Sequence, residues 1–312
     1  MTALFQLLVF PGFLFLIVLS MAAQFVDRKF HARLQNRIGP PWFQPAADFL
    51  KLASKETVIP ENTDPAVFTL IPVFTLTAVV VAFFSIPFWS SRALISFPGD
   101  IIVVLYLLTI PTFTFFLGGW YSRSIYAMIG AVRTIIQLFA YEVPFLIALL
   151  AAALLAGSWS LSGIATFYAA HPLLLPVNII GFAVALVSLM GKLEKVPFDI
   201  PEAETEIVAG PLTEFSGRYL AMMMLARDVE MVVGASLLSA VYLPFFLHAG
   251  PVAGFIIALA EVFLIILLIS LLRTILARMR IDQMMNFCWK VLAPIALFQV
   301  LINLVLKGVL FR

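Results

Sequence analysis

The chain has 312 residues, of which 63% are hydrophobic and 12% are charged, and its formal net charge is +2. A soluble domain is nearer half apolar and a quarter charged, so this composition excludes an ordinary soluble protein and indicates an integral membrane protein. Cysteine occurs once, at Cys288, and the three histidines are far apart. An iron–sulfur cluster takes several thiolates, so we predict no redox centre and no metal site in this chain.

Apolar runs of about 20 residues, the length that crosses the hydrocarbon core, recur eight times. Basic residues follow the first run instead of preceding it, which predicts a retained span and not a cleaved signal peptide. We therefore predict an all-α protein forming one polytopic membrane domain over residues 1–312. The predicted spans are 2–26, 67–89, 101–121, 135–157, 173–190, 219–247, 252–272 and 291–310.

Lysine and arginine are distributed unevenly among the loops. The loops after spans one, three, five and seven carry fifteen of them, against three on the opposite side. By the positive-inside rule, these four loops are cytoplasmic and both termini face outward. The chain is accordingly expected in a prokaryotic plasma membrane as a multi-pass protein. The two long cytoplasmic loops are 27–66 and 191–218.

Loop 27–66 contains a predicted short amphipathic helix, because Phe49 and Leu52 are interleaved with Asp48 and Lys51. Such a helix either lies in the membrane plane as a prop or docks a soluble partner, and the sequence favours neither. The basic residues that we assign as candidates for partner docking in the two long loops are Arg37, Lys51, Lys192 and Lys195.

Loop 191–218 concentrates acidic residues in a chain that otherwise avoids them. The spacing of Asp199 and Glu202 resembles a capping box and predicts a helix beginning near Ile200 and ending at Gly210–Pro211. The segment is either a solvated acidic helix or, since apolar residues are interleaved with the acids, a segment packed at a membrane–protein junction. Its six carboxylates, of 17 acidic residues in the chain, are Glu194, Asp199, Glu202, Glu204, Glu206 and Glu214.

Ionisable residues also occur inside predicted spans. Because placing a charge in the membrane costs free energy, each of them is a functional candidate. Glu142 precedes Pro144 in span four, and Glu261 lies alone near the midpoint of span seven. Span six contains Arg227, Asp228 and Glu230. The spacing of Arg227 and Glu230 allows them to pair on one helix face. The group is either a buried salt-bridge cluster or a hydrated polar path leading in from loop 191–218.

The motifs together resemble a known family. The runs PFDIPEAETEIVAG (197–210) and EFSG (214–217) closely resemble the signature of the complex I membrane protein called NADH dehydrogenase subunit 1, or the H subunit. The runs NRIGP (36–40), QPAADFLKLASKE (44–56) and AYEVP (140–144) resemble other signatures of that family, in the same order. The resemblance implies an eight-span subunit that links a soluble redox arm to an ion-pumping arm and carries no redox centre.

Three departures from the quinone-reducing members of this family shift the expectation. Lys192 stands where they usually have an acid, Ala226–Asp228 replaces their Ala-Glu-Tyr, and Pro211–Phe215 replaces an Asn-centred turn with Tyr. The GPLTEFSG form looks more like the homologous subunit of group 4 membrane-bound [NiFe] hydrogenases, of the ferredoxin-linked or formate hydrogenlyase type. That resemblance implies no need for quinone, and it leaves open whether a quinone cavity persists.

The resemblance therefore implies a membrane anchor that couples ferredoxin oxidation and H2 evolution in a soluble arm to H+ or Na+ translocation. Expected partners are hydrogenase-like large and small subunits, an iron–sulfur subunit and antiporter-like membrane subunits, in the lipid bilayer and without nucleic acid. The [NiFe] centre and clusters belong to those partners. The alternatives are a quinone-reducing complex I subunit, an independent ion transporter and a purely structural anchor. The candidate coupling or ion-path residues are Glu142, Asp199, Glu202, Glu204, Glu206, Glu214, Arg227, Asp228, Glu230 and Glu261.

Overall fold

The computed structural model describes residues 2–61, 63–202 and 204–310, and within these ranges all regular structure is helical. The α-helices, numbered in chain order, are α1 (Thr2–Leu8), α2 (Phe13–Leu34), α3 (Gln44–Ser54), α4 (Pro65–Phe84), α5 (Asp100–Tyr121), α6 (Ile125–Ala156), α7 (Leu161–Ala170), α8 (Ile179–Lys192), α9 (Glu204–Ile207), α10 (Gly217–Tyr242), α11 (Pro251–Ile275), α12 (Ile281–Phe287) and α13 (Ala293–Leu310). Short 3-10 turns cover Pro172–Leu174, Pro176–Asn178, Gly210–Leu212 and Pro244–His248, and a π-helical segment, Cys288–Leu292, joins α12 to α13.

Seven helical segments in the described ranges are long and apolar enough to cross a membrane, which confirms the all-α membrane class. Several extend beyond the predicted apolar runs. The fourth begins at Ile125, ten residues before the predicted start, because helix propensity continues past the residues that must face lipid. The outward orientation of both termini stays a prediction. The seven segments are Phe5–Leu34, Pro65–Phe84, Asp100–Tyr121, Ile125–Ala156, Pro172–Lys192, Pro251–Ile275 and Ile281–Val309.

Predicted span six, 219–247, corresponds to α10. With 26 residues it is about 39 Å long, enough to cross the hydrocarbon core, but it is not among the seven apolar segments. Its core-facing charges lower its hydropathy, and most of its residues are buried. It packs against α2, α4 and α11, so the other helices separate it from lipid. A charged helix is compatible with a membrane protein when neighbouring helices enclose it in this way.

The four predicted cytoplasmic loops meet at one end of the helix bundle. The backbone N–H of Val58 donates to Ser216 Oγ at 2.8 Å, which joins loop 27–66 to the segment before α10. The N–H of Met279 donates to the carbonyl of Pro197 at 3.1 Å, which joins the loop after α11 to loop 191–218. We call this the loop end of the molecule.

Loop 191–218 also lies directly on α6. A Cβ atom on Gly130 would come within 2.6 Å of the Gly210 carbonyl carbon and the Pro211 nitrogen. Gly130 therefore permits a backbone-to-backbone approach that any larger residue would block. Gln137, about two turns of helix further along the same side, donates to the carbonyls of Gly191 and Phe198 at 2.8 and 2.7 Å.

The predicted start of the loop helix near Ile200 is wrong, but a shorter helix lies within the predicted bounds. Residues 193–202 form turns and bends, and the α-helical part of the described residues between α8 and α10 is Glu204–Ile207. Pro201 has no N–H to donate within a helix. The carboxylate of Asp199 binds Arg278 across the loop end at 3.1 Å instead of capping a helix.

Candidate functional site

Arg227 lies in the middle of α10 and is the centre of a buried charged cluster. Its guanidinium donates to Glu194 Oε2 at 2.8 Å and to Glu202 Oε1, so loop 191–218 is bound to α10 through two carboxylates. The guanidinium also lies 4.7 Å from the centroid of the Phe115 ring. The pairing of Arg227 with Glu230 considered from spacing is replaced by these two contacts with the loop.

A second buried pair lies where α8 ends. Lys192 Nζ is 3.1 Å from Glu142 Oε2 and donates to the carbonyl of Leu108 at 2.9 Å. The ammonium also lies 5.2 Å from the Tyr141 ring centroid, and its side chain is completely buried. Such a cation is tolerated only because a carboxylate, a carbonyl and an aromatic face surround it.

Glu230 interacts electrostatically with members of both pairs. It is 1% exposed, and its Oε1 atom accepts no hydrogen bond from the described residues. Its charged neighbours are Lys192, Glu194, Arg227 and Glu142. Candidates predicted separately in two spans and in the loop are thus brought together into one group around Glu230.

A third pair joins the first and seventh spans to the loop. Asp27, 1% exposed, binds Lys195 Nζ at 2.8 Å and Ser270 Oγ at 2.8 Å, and Arg273 lies 3.4 Å away. Nearby, Asp228 accepts a bond from Gln24 of α2 at 2.6 Å. Asp27 escaped prediction because it begins a charged run that resembles the start of a loop. Its place one residue after the apolar run was the available signal.

Two of the loop carboxylates have pKa values displaced in opposite directions. Burial raises the pKa of Glu194 to about 7, against the lowering effect of Arg227. Burial opposes ionisation of Glu202 as well, but Arg227 outweighs it and holds the pKa of Glu202 below its ordinary value. One carboxylate is therefore fixed as the ionic partner of Arg227, while the other changes charge near neutral pH.

Glu194 also has a strained backbone, with φ at 50°, in the left-handed region that non-glycine residues seldom adopt. Such strain persists only where surrounding contacts enforce it, and it is frequent at functional sites. The side chain of this residue is one of the two that bind Arg227.

The exposed side of the loop forms a separate ionic contact. Arg133 donates to Glu206 Oε2 at 2.7 Å, and Arg278 is 3.9 Å from the other Glu206 oxygen and 3.1 Å from Asp199. The hydrogen bond from Arg133 holds the pKa of Glu206 below its ordinary value. Glu206 is half exposed, so this contact differs from the buried pairs in its access to water.

The remaining candidates are dispersed. Glu261 is 6% exposed and accepts a bond from Ser239 Oγ at 2.6 Å, so its partner lies on α10 and not in the loop. Glu214 is partly exposed near the start of α10. The side chain of Glu204 lies outside the described residues.

The docking candidates separate into two classes. Arg37 and Lys51 are exposed, as docking requires. Docking by Lys192 is wrong, because its side chain is enclosed and bound to Glu142. Lys195 keeps 18% of its side chain exposed and is bound to Asp27, so its docking role stays a prediction.

The cluster contains no metal-binding arrangement: no group of three or more histidine, cysteine or acidic residues in the described ranges could hold a metal ion. Its chemistry is that of alternating carboxylates and cations in a low-dielectric interior. Glu142, Glu194 and Glu230 each have one oxygen with no hydrogen-bond donor among the described residues, so the group has free acceptors that another pairing or a proton could occupy. We call these residues, with Lys192, Arg227 and Glu202, the charged cluster.

The sequence profile of the NADH dehydrogenase family matches residues 6–304. The chain belongs to this family. It is 32% identical to the H subunit of NADH-quinone oxidoreductase from Carboxydothermus hydrogenoformans, over 94% of this chain and 85% of that protein. It is 34% identical to the H subunit from Syntrophotalea carbinolica, over 92% and 91%. The family assignment confirms the resemblance in the sequence and makes the chain a membrane subunit of a multisubunit, complex I-like oxidoreductase.

Among solved structures, the fold matches a chain of an archaeal respiratory membrane complex, the membrane-bound sulfane sulfur reductase. The TM-score is 0.85 at 26% identity, with 97% of this chain and 100% of that chain covered. The helix arrangement is therefore shared by complexes whose names specify different electron acceptors.

Proposed function

We propose that this chain is the membrane-anchor and coupling subunit of an energy-converting hydrogenase. A ferredoxin-oxidising, H2-evolving soluble arm binds at the loop end, and its turnover drives H+ or Na+ translocation through the membrane arm. The observation that carries the proposal is the buried Lys192–Glu142 pair, with Glu230 beside it. Lys192 occupies the position where quinone-reducing members usually have an acid, and its ammonium group pairs with the carboxylate of Glu142.

The charged cluster supplies a physical route for coupling. Loop 191–218 contributes Glu194 and Glu202 to Arg227, so movement of the loop changes the charges that α10 experiences. Arg227 and Lys192 in turn influence Glu230, whose free oxygen is placed to gain or lose a proton. A redox event in the soluble arm that moves the loop would thereby change the proton affinity of Glu230 inside the membrane. The similarity to a chain of a sulfane sulfur reductase supports a role that does not depend on quinone.

The test begins with the intact complex, purified from its native membrane through a tag on this chain. Evolution of H2 from reduced ferredoxin is expected, with no reduction of a short-chain quinone. Reconstituted in liposomes, the Glu142→Gln complex should keep its H2 rate and translocate less ion per H2, because glutamine keeps a hydrogen bond to Lys192 but loses the charge.

The matched control is Glu56→Gln, an exposed carboxylate of loop 27–66 outside the charged cluster. It should leave both the H2 rate and the ion yield unchanged. Quinone reduction without H2 evolution would overturn the hydrogenase assignment. An unchanged ion yield in Glu142→Gln would overturn the coupling role and favour a purely structural anchor.

A quinone-reducing subunit is the second candidate, favoured by one structural observation. A cavity of about 260 Å³ opens between α2, α3 and α10 at the loop end. The relatives from Carboxydothermus and Syntrophotalea are also named for quinone. This candidate predicts that a quinone analogue binds the purified complex and protects residues lining the cavity, such as Met224, from chemical labelling.

A further inference from the structure

The cavity between α2, α3 and α10 has two kinds of wall. Met21, Leu52 and Leu225 supply apolar surface, and Lys51 and Lys55 belong to its charged lining. The cavity is open to the surface beside α3. With about 30 Å³ per water molecule as a scale, its volume suits a compact polar group and a short length of hydrocarbon.

The charges around the cavity leave a positive excess of one. Arg28 is paired with Asp48 at 2.9 Å, whereas Asp228 accepts a hydrogen bond from the neutral side chain of Gln24 at 2.6 Å and keeps its charge, so three cations face two carboxylates. In the part of the chain that the structure describes, neither Lys51 nor Lys55 pairs with a carboxylate. Lys51 lies in the last turn of α3 and Lys55 follows its end, and both line the cavity. An anion at the cavity mouth meets two unpaired ammonium groups.

Apolar side chains on α3 and just before it are uncovered. Trp42 is 78% exposed, Phe43 51% and Leu50 66%. At 100° per residue, Leu50 lies on a different flank from Lys51, while Phe49 and Leu52 are half-buried. Exposed aromatic and aliphatic side chains on one flank with lysines on the other are typical of a helix lying in the membrane interface.

We propose that this cavity binds an anionic phospholipid of the same leaflet. Its phosphate group is held by Lys51 and Lys55, and the first part of one acyl chain lies against Met21, Leu52 and Leu225. Trp42 and Leu50 anchor α3 in the surrounding interface. The assignment goes beyond the proposed function, and it excludes a quinone from the same cavity.

The charge pattern favours a lipid over the other occupants. A quinone head group is neutral, so it gains nothing from two unpaired lysines, whereas a phosphodiester gains from both. A soluble protein docking on the lysines does not explain why Trp42 and Leu50 are bare beside them. A phospholipid satisfies the ammonium groups and the apolar flank together.

The experiment uses the purified whole complex and two probes that differ only in head group. These are phosphatidylglycerol and phosphatidylcholine with a photoreactive acyl chain. Phosphatidylglycerol should label peptides of α3 and of α10 near Leu225, and unlabelled phosphatidylglycerol should compete. The Lys51→Gln/Lys55→Gln variant should weaken phosphatidylglycerol binding about tenfold or more, since each surface lysine contributes about 1 kcal/mol toward an anionic lipid.

The matched control is Arg33→Gln/Lys290→Gln, which removes the same charge from exposed positions outside the cavity. It should bind phosphatidylglycerol like the parent, and both variants are first checked for assembly by size-exclusion chromatography. Four outcomes overturn the proposal. They are equal labelling by both lipids, equal weakening in the control, displacement by a quinone analogue but not by phosphatidylglycerol, and cross-linking of Lys51 to a soluble subunit in place of lipid labelling.

Discussion

Both ends of the helix bundle bury polar groups, but they do so with different chemistry. At the loop end the charged cluster combines carboxylates, a lysine and an arginine. Toward the opposite end, a cluster that we call the amide cluster is formed by Asn178, Gln299 and Asn303, all 2% exposed or less. Asn303 donates to Asn178 Oδ1 at 2.9 Å and to the carbonyl of Ala151 at 2.8 Å.

The difference separates a cluster that can change charge from one that cannot. Amides do not titrate, so the amide cluster holds α6, α8 and α13 together in every protonation state. Lys307 adds to this by donating to the carbonyl of Leu154 at the end of α6. In the charged cluster each pair responds to the loss or movement of its partner. Coupling is therefore expected at the loop end, and passive cohesion at the other.

The largest effect is expected from removing the cation of the charged cluster. Arg227→Met leaves the buried Glu194 and the partly exposed Glu202 without their common partner, and breaking a buried ion pair in this way costs about 3–5 kcal/mol. The thermal midpoint of the purified complex should fall accordingly, as measured by scanning fluorimetry.

The control is the triple variant Arg227→Met/Glu194→Gln/Glu202→Gln, which removes the orphaned charges as well. It should recover much of the lost stability, because a neutral replacement of a buried ion pair is often nearly as stable as the pair. A triple variant no more stable than the single one would show that Arg227 acts by packing and not by charge.

At the opposite end, Asn303→Leu should cost about 1–3 kcal/mol, the usual penalty for leaving buried polar partners unsatisfied. It removes the side-chain donor to the carbonyl of Ala151 and one of the two donors to Asn178 Oδ1, and it leaves Gln299 without its acceptor on Asn303. The ion yield per electron pair in liposomes should remain unchanged, because no titratable group is touched. A lower ion yield with intact assembly would place part of the ion path in the amide cluster and break the contrast between the two ends.

The sequence reveals much of this contrast, and physical reasons account for what it misses. The spans follow from apolar run length, and α10 is predicted because its charges interrupt but do not end an apolar segment. The turns of residues 193–202 are missed, because the Asp199–Glu202 spacing fits a capping box locally while Arg278 binds Asp199 from another loop. Local spacing carries no information about such a distant partner.

Local sequence patterns do not predict which residues of the charged cluster pair with each other either. Lys192 resembles a loop cation since it ends an apolar run, but the fold places Glu142 of α6 beside it. The amide cluster is missed altogether: Asn178, Gln299 and Asn303 are uncharged, and 121 or more residues separate Asn178 from the other two. A charged residue in a predicted span is recognised as a candidate because placing a charge in the membrane costs free energy, whereas an amide side chain gives a weaker signal.

A smaller effect is expected from pH. The folded-state pKa of Glu194, about 7, exceeds its ordinary 4.5, so folding favours its protonated form. Its stabilising contribution is complete below about pH 4.5 and is lost as pH rises toward 7, with a slope of at most about 1.4 kcal/mol per pH unit. Glu202, whose pKa is lowered instead, is already ionised in that window. Glu194→Gln should therefore flatten the dependence of the thermal midpoint on pH between these values, and an equally steep slope would assign the proton to another group.

The smallest effect is expected at the exposed contact of the loop. Glu206→Gln breaks the ion pair with Arg133, but Glu206 is 53% exposed and such pairs contribute about 0–1 kcal/mol. Salt screens exposed charges, so any difference from the parent should disappear at about 1 M salt, where the Debye length is about 3 Å. Arg227→Met, by contrast, should keep its deficit at that ionic strength. A loss in Glu206→Gln as large as in Arg227→Met would mean that loop 191–218 is held from its surface, and the loop would then respond to ionic strength instead of to the buried charges of α10.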